Sequence, residues 1–205
     1  MSGILFVISA PSGTGKTSLV QGLVKSVSNI KISISYTTRP KRPNETDNVD
    51  YHFVDKTQFE TMITEQKFLE YAWVYGNYYG TSREWVEEQL AKNVDVILEI
   101  DWQGAAQIKS LHRESVNIFI LPPSLAALKK RLEERKQDSQ KTISERFLGA
   151  REEILHFGEF DYLIVNDDFS EALGDLKAIV RAYRLKSTRQ AKKYAALLSD
   201  LIKNV

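Results

Sequence analysis

The apolar run Ile4-Leu5-Phe6-Val7-Ile8 leads straight into Ala10-Pro11-Ser12-Gly13-Thr14-Gly15-Lys16-Thr17-Ser18, and apolar residues then recur at helical spacing. No other stretch restricts the fold as much. A short unbroken run of β-type apolar side chains suits a strand covered on both faces, as in a parallel sheet. Leu19, Leu23 and Val27, with Val20 and Val24 beside them, form one apolar helix face. Between strand and helix, Gly13 and Gly15 permit backbone angles that aim successive N–H groups at one anion. The helix N-terminus adds partial positive charge at the same spot. Lys16 supplies a mobile full charge there, and the Thr17 hydroxyl a ligand for Mg²⁺. The Walker A pattern asks for Gly, four residues, then Gly-Lys-Ser/Thr. Ala10 stands where its first glycine would be, one small residue replacing another.

Further apolar runs follow at Val94 to Ile100, Val116 to Leu121 and Tyr162 to Val165. Helical patterns separate or follow them: Ser124 capping Leu125, Leu128 and Leu132; then Ile143, Phe147 and Ile154; then Leu173, Leu176, Val180 and Tyr183. Apolar strands alternating with helices predict an α/β fold with a parallel sheet core. Residues 32 to 91 read differently. Ile32, Ile34 and Tyr36 alternate with Ser33, Ser35 and Thr37, a half-exposed strand. Tyr51 to Val54 and Phe68 to Val74 are further strands, divided by a short helix around Phe59, Met62 and Ile63. This segment is expected to be a small mixed β insertion, or arm, and 124 to 157 a charged helical lid. The core then comprises 1–31, 92–123 and 158–205 of a single domain.

Composition narrows the function. With 28 basic against 27 acidic residues the formal charge is +1, so the chain lacks the basic excess of a nucleic-acid binder. It has no cysteine, which excludes disulfides and thiolate metal sites and fits a cytoplasmic location. The apolar N-terminal run is too short for a membrane segment and has no basic lead-in, so no membrane association is expected. His52, His112 and His156 are isolated and show no metal-ligand spacing. Lys186 to Lys193 reads as a solvated basic helix face. The final helix, Tyr194-Leu197-Leu198-Leu201, carries an apolar stripe suited to the core or to a partner subunit, leaving a homo-oligomer open.

Glu99 and Asp101 close the run Val94–Leu98, where acids beside a phosphate loop fit the role of holding Mg²⁺ directly or through water. Other fragments are Ser35-Tyr36-Thr37-Thr38-Arg39-Pro40, Arg42, Asp50-Tyr51, Glu70 and Gly76-Asn77-Tyr78-Tyr79-Gly80-Thr81. Glu99-Ile100-Asp101-Trp102-Gln103-Gly104, Pro122-Pro123-Ser124 and Val165-Asn166-Asp167-Asp168 complete the set. With these, in this order, the chain resembles the guanylate kinase family over nearly its whole length. The resemblance implies a P-loop nucleoside-monophosphate kinase fold with a GMP-binding arm and a lid. It also implies Mg²⁺-dependent, reversible phosphoryl transfer from ATP to GMP in purine nucleotide metabolism. Ala10 through Ser18 would bind the ATP phosphates. Arg39, Arg42, Tyr51 and Tyr79 would grip the GMP phosphate, and Ser35, Glu70 and Thr81 would read guanine. Gly80, Glu99 and Asp101 complete the implied GMP set, and Asn166 would line the adenine pocket. Lys16, Arg39, Arg135 and Arg146 are the implied catalytic residues, with Arg131 a third lid candidate, and Thr17 and Glu99 the metal site.

The chemistry is consistent with those types. A carboxylate accepts from both guanine N1 and the 2-amino group, while adenine would set a lone pair against it. Ser35 or Thr81 hydroxyls can donate to O6. A nucleotide phosphate is already a nucleophile at neutral pH, so no general base is required. Arginine forks suit phosphate oxygens. Three alternatives stay open at this point: a catalytically inactive guanylate-kinase-like peptide-binding module, a P-loop kinase for another monophosphate or a sugar phosphate, and a GTPase-type switch. The Asn-Lys-x-Asp signature of the last is missing.

Overall fold

In the computed structural model, residues 2–134 and 140–203 are described. Strand β1 (Leu5–Ser9) is buried along its length because helices cover both faces of its sheet. Phe6 and Ile8 pack with Leu19, Val20 and Leu23 of α1 (Lys16–Ser26) and with Leu176 and Val180 of α7 (Phe169–Arg184). Leu5 and Val7 point the other way, toward Val86 of α3 (Arg83–Ala91) and Ile108 of α4 (Trp102–Leu111). The sheet is parallel throughout, in the order β2 (Ile30–Ile32), β7 (Asp95–Glu99), β1, β8 (Val116–Leu121), β9 (Tyr162–Val165). Ile8 pairs with Glu99, so the 10–15 loop and the acids at the end of β7 leave the sheet side by side. In such sheets ligands bind outside the carboxyl ends of the strands.

The second sheet is mixed, in the order β4 (His52–Phe53), β3 (Tyr36–Thr37), β6 (Asn77–Ser82), β5 (Phe68–Val74). Helix α2 (Lys56–Thr64) closes its back, with Asp55 as cap accepting from the Gln58 amide at 2.8 Å. Phe59, fully buried, stacks on Phe68 and Tyr78 and gives this unit a small aromatic core.

The alternating segment expected as one strand is divided. Ile32 belongs to β2 and pairs with Ile97 in the core sheet, whereas Tyr36 starts β3 in the second sheet. Period-two alternation states that one face is buried but not against which sheet. Helix α3 lies within 32–91 yet packs on the core sheet. Strand β6, not foreseen as a strand, forms a hairpin with β5.

Helix α5 (Leu125–Glu134) is capped as expected, Ser124 Oγ accepting from the Ala127 amide at 3.0 Å. Its Leu128 and Leu132 pack on Phe147 and Ala150 of α6 (Gln140–Leu155). The chain ends in α8 (Ser187–Lys193) and α9 (Ala195–Lys203), where Leu197, Leu201 and Ile202 are exposed. Among the described residues no helix is long and apolar enough to cross a membrane.

Candidate active site

Gly13 and Gly15 both have φ +92, in the region that side chains avoid. Gly15 is the N-cap of α1, in the left-handed conformation. A Cβ at Gly15 would lie 2.5 Å from Asn166 Nδ2, and one at Gly13 2.9 Å from Leu132 Cδ2. Asn166 donates to the Thr14 carbonyl at 2.6 Å, and Thr14 Oγ1 donates back to the Pro11 carbonyl at 2.8 Å. Arg131 spans the same region, donating to the Asn166 carbonyl at 3.0 Å. The loop is therefore fastened from beneath by the end of β9 and from the side by α5.

At the loop's mouth Thr17 Oγ1 donates to Glu99 Oε2 at 3.1 Å, and Lys16 Nζ to the Ile100 carbonyl at 3.3 Å. Burial pushes the Glu99 carboxyl up, opposed by Lys16 and by the Thr17 hydrogen bond. Asp101 caps α4, accepting from the Gly104 amide at 3.0 Å.

Glu70, on β5, is 3% exposed. Burial pushes its carboxyl up to about 7; the Thr81 hydroxyl, donating to Oε1 at 2.6 Å, pulls the other way, and the charge of Asp101 raises it further. Gly104 sits against Glu70 Oε2, where a Cβ would collide with that oxygen. Thr81 donates to Glu70, and of the two hydroxyls expected near a base oxygen it is Ser35 that lines the cleft.

Arg39 grips Glu45 with two parallel bonds, NH1 to Oε2 at 3.0 Å and NH2 to Oε1 at 2.7 Å. The Arg42 amide donates to the same carboxylate at 2.8 Å. The Arg39 guanidinium also lies over the ring of Tyr51, 5.3 Å from its centroid. Burial opposes its charge, but Glu45 and Tyr79 outweigh that and hold it charged; Glu45 is correspondingly held low. Burial, Tyr79 and Glu99 push the Tyr51 hydroxyl up to about 12. Glu45 lines an adjoining cavity, while Arg39, Arg42, Tyr51 and Tyr79 face the cleft that the 10–18 loop borders.

That cleft, of about 430 Å³, runs from Ala10 through Ser18 at one end to Ser35, Arg39, Arg42, Tyr51, Glu70 and Tyr79 at the other, with Glu99 and Asp101 on its floor. The guanylate kinase family model matches residues 2–183. This chain belongs to the guanylate kinase family. The guanylate kinase of Coxiella burnetii is 54% identical over 198 residues, covering 97% of this chain and 96% of that one. That of Vibrio cholerae is 54% identical over 202 residues, covering 98% of each. Among solved structures, guanylate kinase from Anaplasma phagocytophilum superposes with a TM-score of 0.78 at 35% identity, over 92% of this chain and 89% of that one.

Of the residues the family resemblance singles out, the loop, Ser35, Arg39, Arg42, Tyr51, Glu70, Tyr79, Glu99, Asp101 and Arg146 all line this one cleft. Gly80 and Thr81 are buried in β6 behind it. Asn166 is 6% exposed with its amide nitrogen on the loop, so its clearest contact is with Thr14 rather than with an open pocket. Arg135 lies outside the described residues. The sequence reading missed three residues. Glu45 and Tyr75 carried no signal beyond residue type, and Glu153 was one acid among several on a charged helix.

Proposed function

We infer that this guanylate kinase transfers the γ-phosphoryl group of ATP to GMP, giving ADP and GDP, and runs the reaction in either direction. The observation that carries the reading is a single cleft with an anion-binding glycine loop at one end and a buried carboxylate, Glu70, at the other. In this reading GMP lies with N1–H and its 2-amino group on Glu70 and O6 toward Ser35. Its phosphate meets the cleft-facing edges of Arg39 and Arg42 and the hydroxyls of Tyr51 and Tyr79. Glu45 holds the NH1/NH2 edge of Arg39, and phosphate would be met by the remaining donors of its guanidinium. Thr81 holds Glu70 in place, and Asn166 and Arg131 hold the loop.

The phosphate of GMP is the nucleophile, its second pKa being near 6, so no group has to remove a proton. What the residues supply is alignment and charge neutralisation. Lys16 and the loop amides hold the donor phosphates, and Arg146 faces the transferring group from the lid, a role the family resemblance extends to Arg135. Thr17 and Glu99, oxygen donors 3.1 Å apart, would hold Mg²⁺, directly or through water. When bound, Mg²⁺ would neutralise negative charge on the ATP phosphates. Closure of arm and lid would exclude water as a competing acceptor.

Purified protein mixed with MgATP and offered GMP, AMP, CMP and UMP separately tests the reading. ADP formation with GMP alone is the expected result. Turnover of another monophosphate would keep the kinase but overturn the role given to Glu70. No turnover of any, by folded protein, would favour a peptide-binding module.

A further inference from the structure

The tip of the β5–β6 hairpin is a two-residue turn, Tyr75-Gly76, between the paired Val74 and Asn77. Both turn residues have positive φ, 47° at Tyr75 and 79° at Gly76. Turns of this kind favour Asn, Asp or Gly at the first position, and a bulky aromatic there is strained. The strained residue reaches across the cleft. Tyr75 OH donates to Glu153 Oε1 of α6 at 2.9 Å. On the same helix, Gly149 faces the Tyr75 hydroxyl, and a Cβ there would collide with it. Glycine inside a helix is unfavourable, and its place here is explained by the room it leaves for that hydroxyl. Arg146, Gly149 and Glu153 are spaced three and four residues apart, so they share one helix face. Tyr75, Arg146 and Glu153 line the same cleft as the phosphate loop. Burial pushes the Glu153 carboxyl up, with Lys16 opposing it across the cleft.

We propose that Tyr75 and Glu153 form a latch between arm and lid, acting as positioning residues that set Arg146 over the cleft when the arm closes on its nucleotide. Three locally unfavourable features converge on this contact: a tyrosine at positive φ, a glycine within a helix and a half-buried carboxylate. The proposal rests on the phosphoryl transfer inferred above. It adds the device that couples the arm's position to the lid's.

The chain has no cysteine, so Gln58→Cys and Leu148→Cys, at exposed positions on α2 and α6, give a defined pair for donor and acceptor dyes. The arm–lid distance is read in the protein alone and with GMP plus β,γ-imido-ATP, without turnover; kcat and KM are measured separately. Tyr75→Phe removes only the hydroxyl. It is expected to lower the closing equilibrium and kcat by about fivefold, the size of one net hydrogen bond, with little change in KM for GMP. Glu153→Ala should lose as much, the double variant no more, and Glu153→Gln, whose Oε1 still accepts, should recover most of the loss. Wild-type distance and kcat in Tyr75→Phe would overturn the latch, as would additive losses in the double variant. Should Tyr75→Phe fail to fold, Glu153→Ala against Glu153→Gln decides alone. Failure of the parent reading would appear as wild-type protein without GMP turnover, a result on which the distances of the protein alone do not depend.

Discussion

Glu70→Gln should stabilise the protein and impair it at once, and the pH dependence separates the two effects. In the folded chain the Glu70 carboxyl keeps its proton up to about pH 7, against an ordinary value of 4.5. Folding therefore takes up a proton between these values, and stability is full below the lower one. It falls as pH rises through the window, by about 3 kcal/mol in all well above pH 7. Gln carries no such charge. Its stability advantage over the wild type should grow by about 2–3 kcal/mol between pH 5 and pH 8, read from urea denaturation at each pH. Binding moves the other way. Guanine needs the ionised carboxylate, so the wild-type KM for GMP should rise about tenfold from pH 8 to pH 6, as the competent fraction falls. The GMP phosphate titrates near 6 in both proteins, so the ratio of the two KM profiles isolates Glu70. At pH 8 the variant should bind GMP at least about a hundredfold more weakly. A stability gap that stays flat between pH 5 and pH 8 would refute the argument, because Glu70 would then not be a buried, proton-holding group.

Gly15→Ala forces a side chain into φ +92 and against Asn166 Nδ2, at 2.5 Å. Binding of an ATP analogue, measured by calorimetry, should weaken at least about tenfold, the strain alone being about 1–2 kcal/mol. Glu45→Gln leaves Arg39 and Arg42 in the cleft but loosens the charged fork that orients them. KM for GMP should rise about tenfold while KM for ATP holds, since charge-assisted bonds contribute about 1.5–3 kcal/mol. Asp95 is 4% exposed and binds the Ile4 amide and Arg184 Nε, each at 2.7 Å. Asp95→Asn should destabilise the fold by about 2 kcal/mol in urea titration, with kcat of the remaining folded protein unchanged.

The strand–loop–helix at the N-terminus was legible from the chain alone because its signals are local. Apolar runs, glycine positions and a helical stripe each act through neighbours, so β1, the loop and α1 follow from residues 4 to 27. Runs such as Val116–Leu121 and Tyr162–Val165 were legible for the same reason, and each is a strand with those bounds. The types at the site, arginines, tyrosines and one carboxylate, were also readable, because phosphate and guanine chemistry restrict which side chains serve.

What the tertiary structure decided is which of these groups meet. The alternation from Ile32 to Thr37 holds no information on the partner sheet, and only the pairing with Ile97 on one side and Gly80 on the other divides it. Thr81 and Glu70, eleven residues apart, face one another only because the β5–β6 hairpin sets them opposite. Asn166 reaches Thr14 across 152 residues. Tyr75 and Glu153, 78 residues apart, meet only because the β5–β6 turn and α6 border one cleft. Hydrogen-bond partners distant in sequence are fixed by packing of whole elements, and no periodicity or motif along the chain encodes that distance.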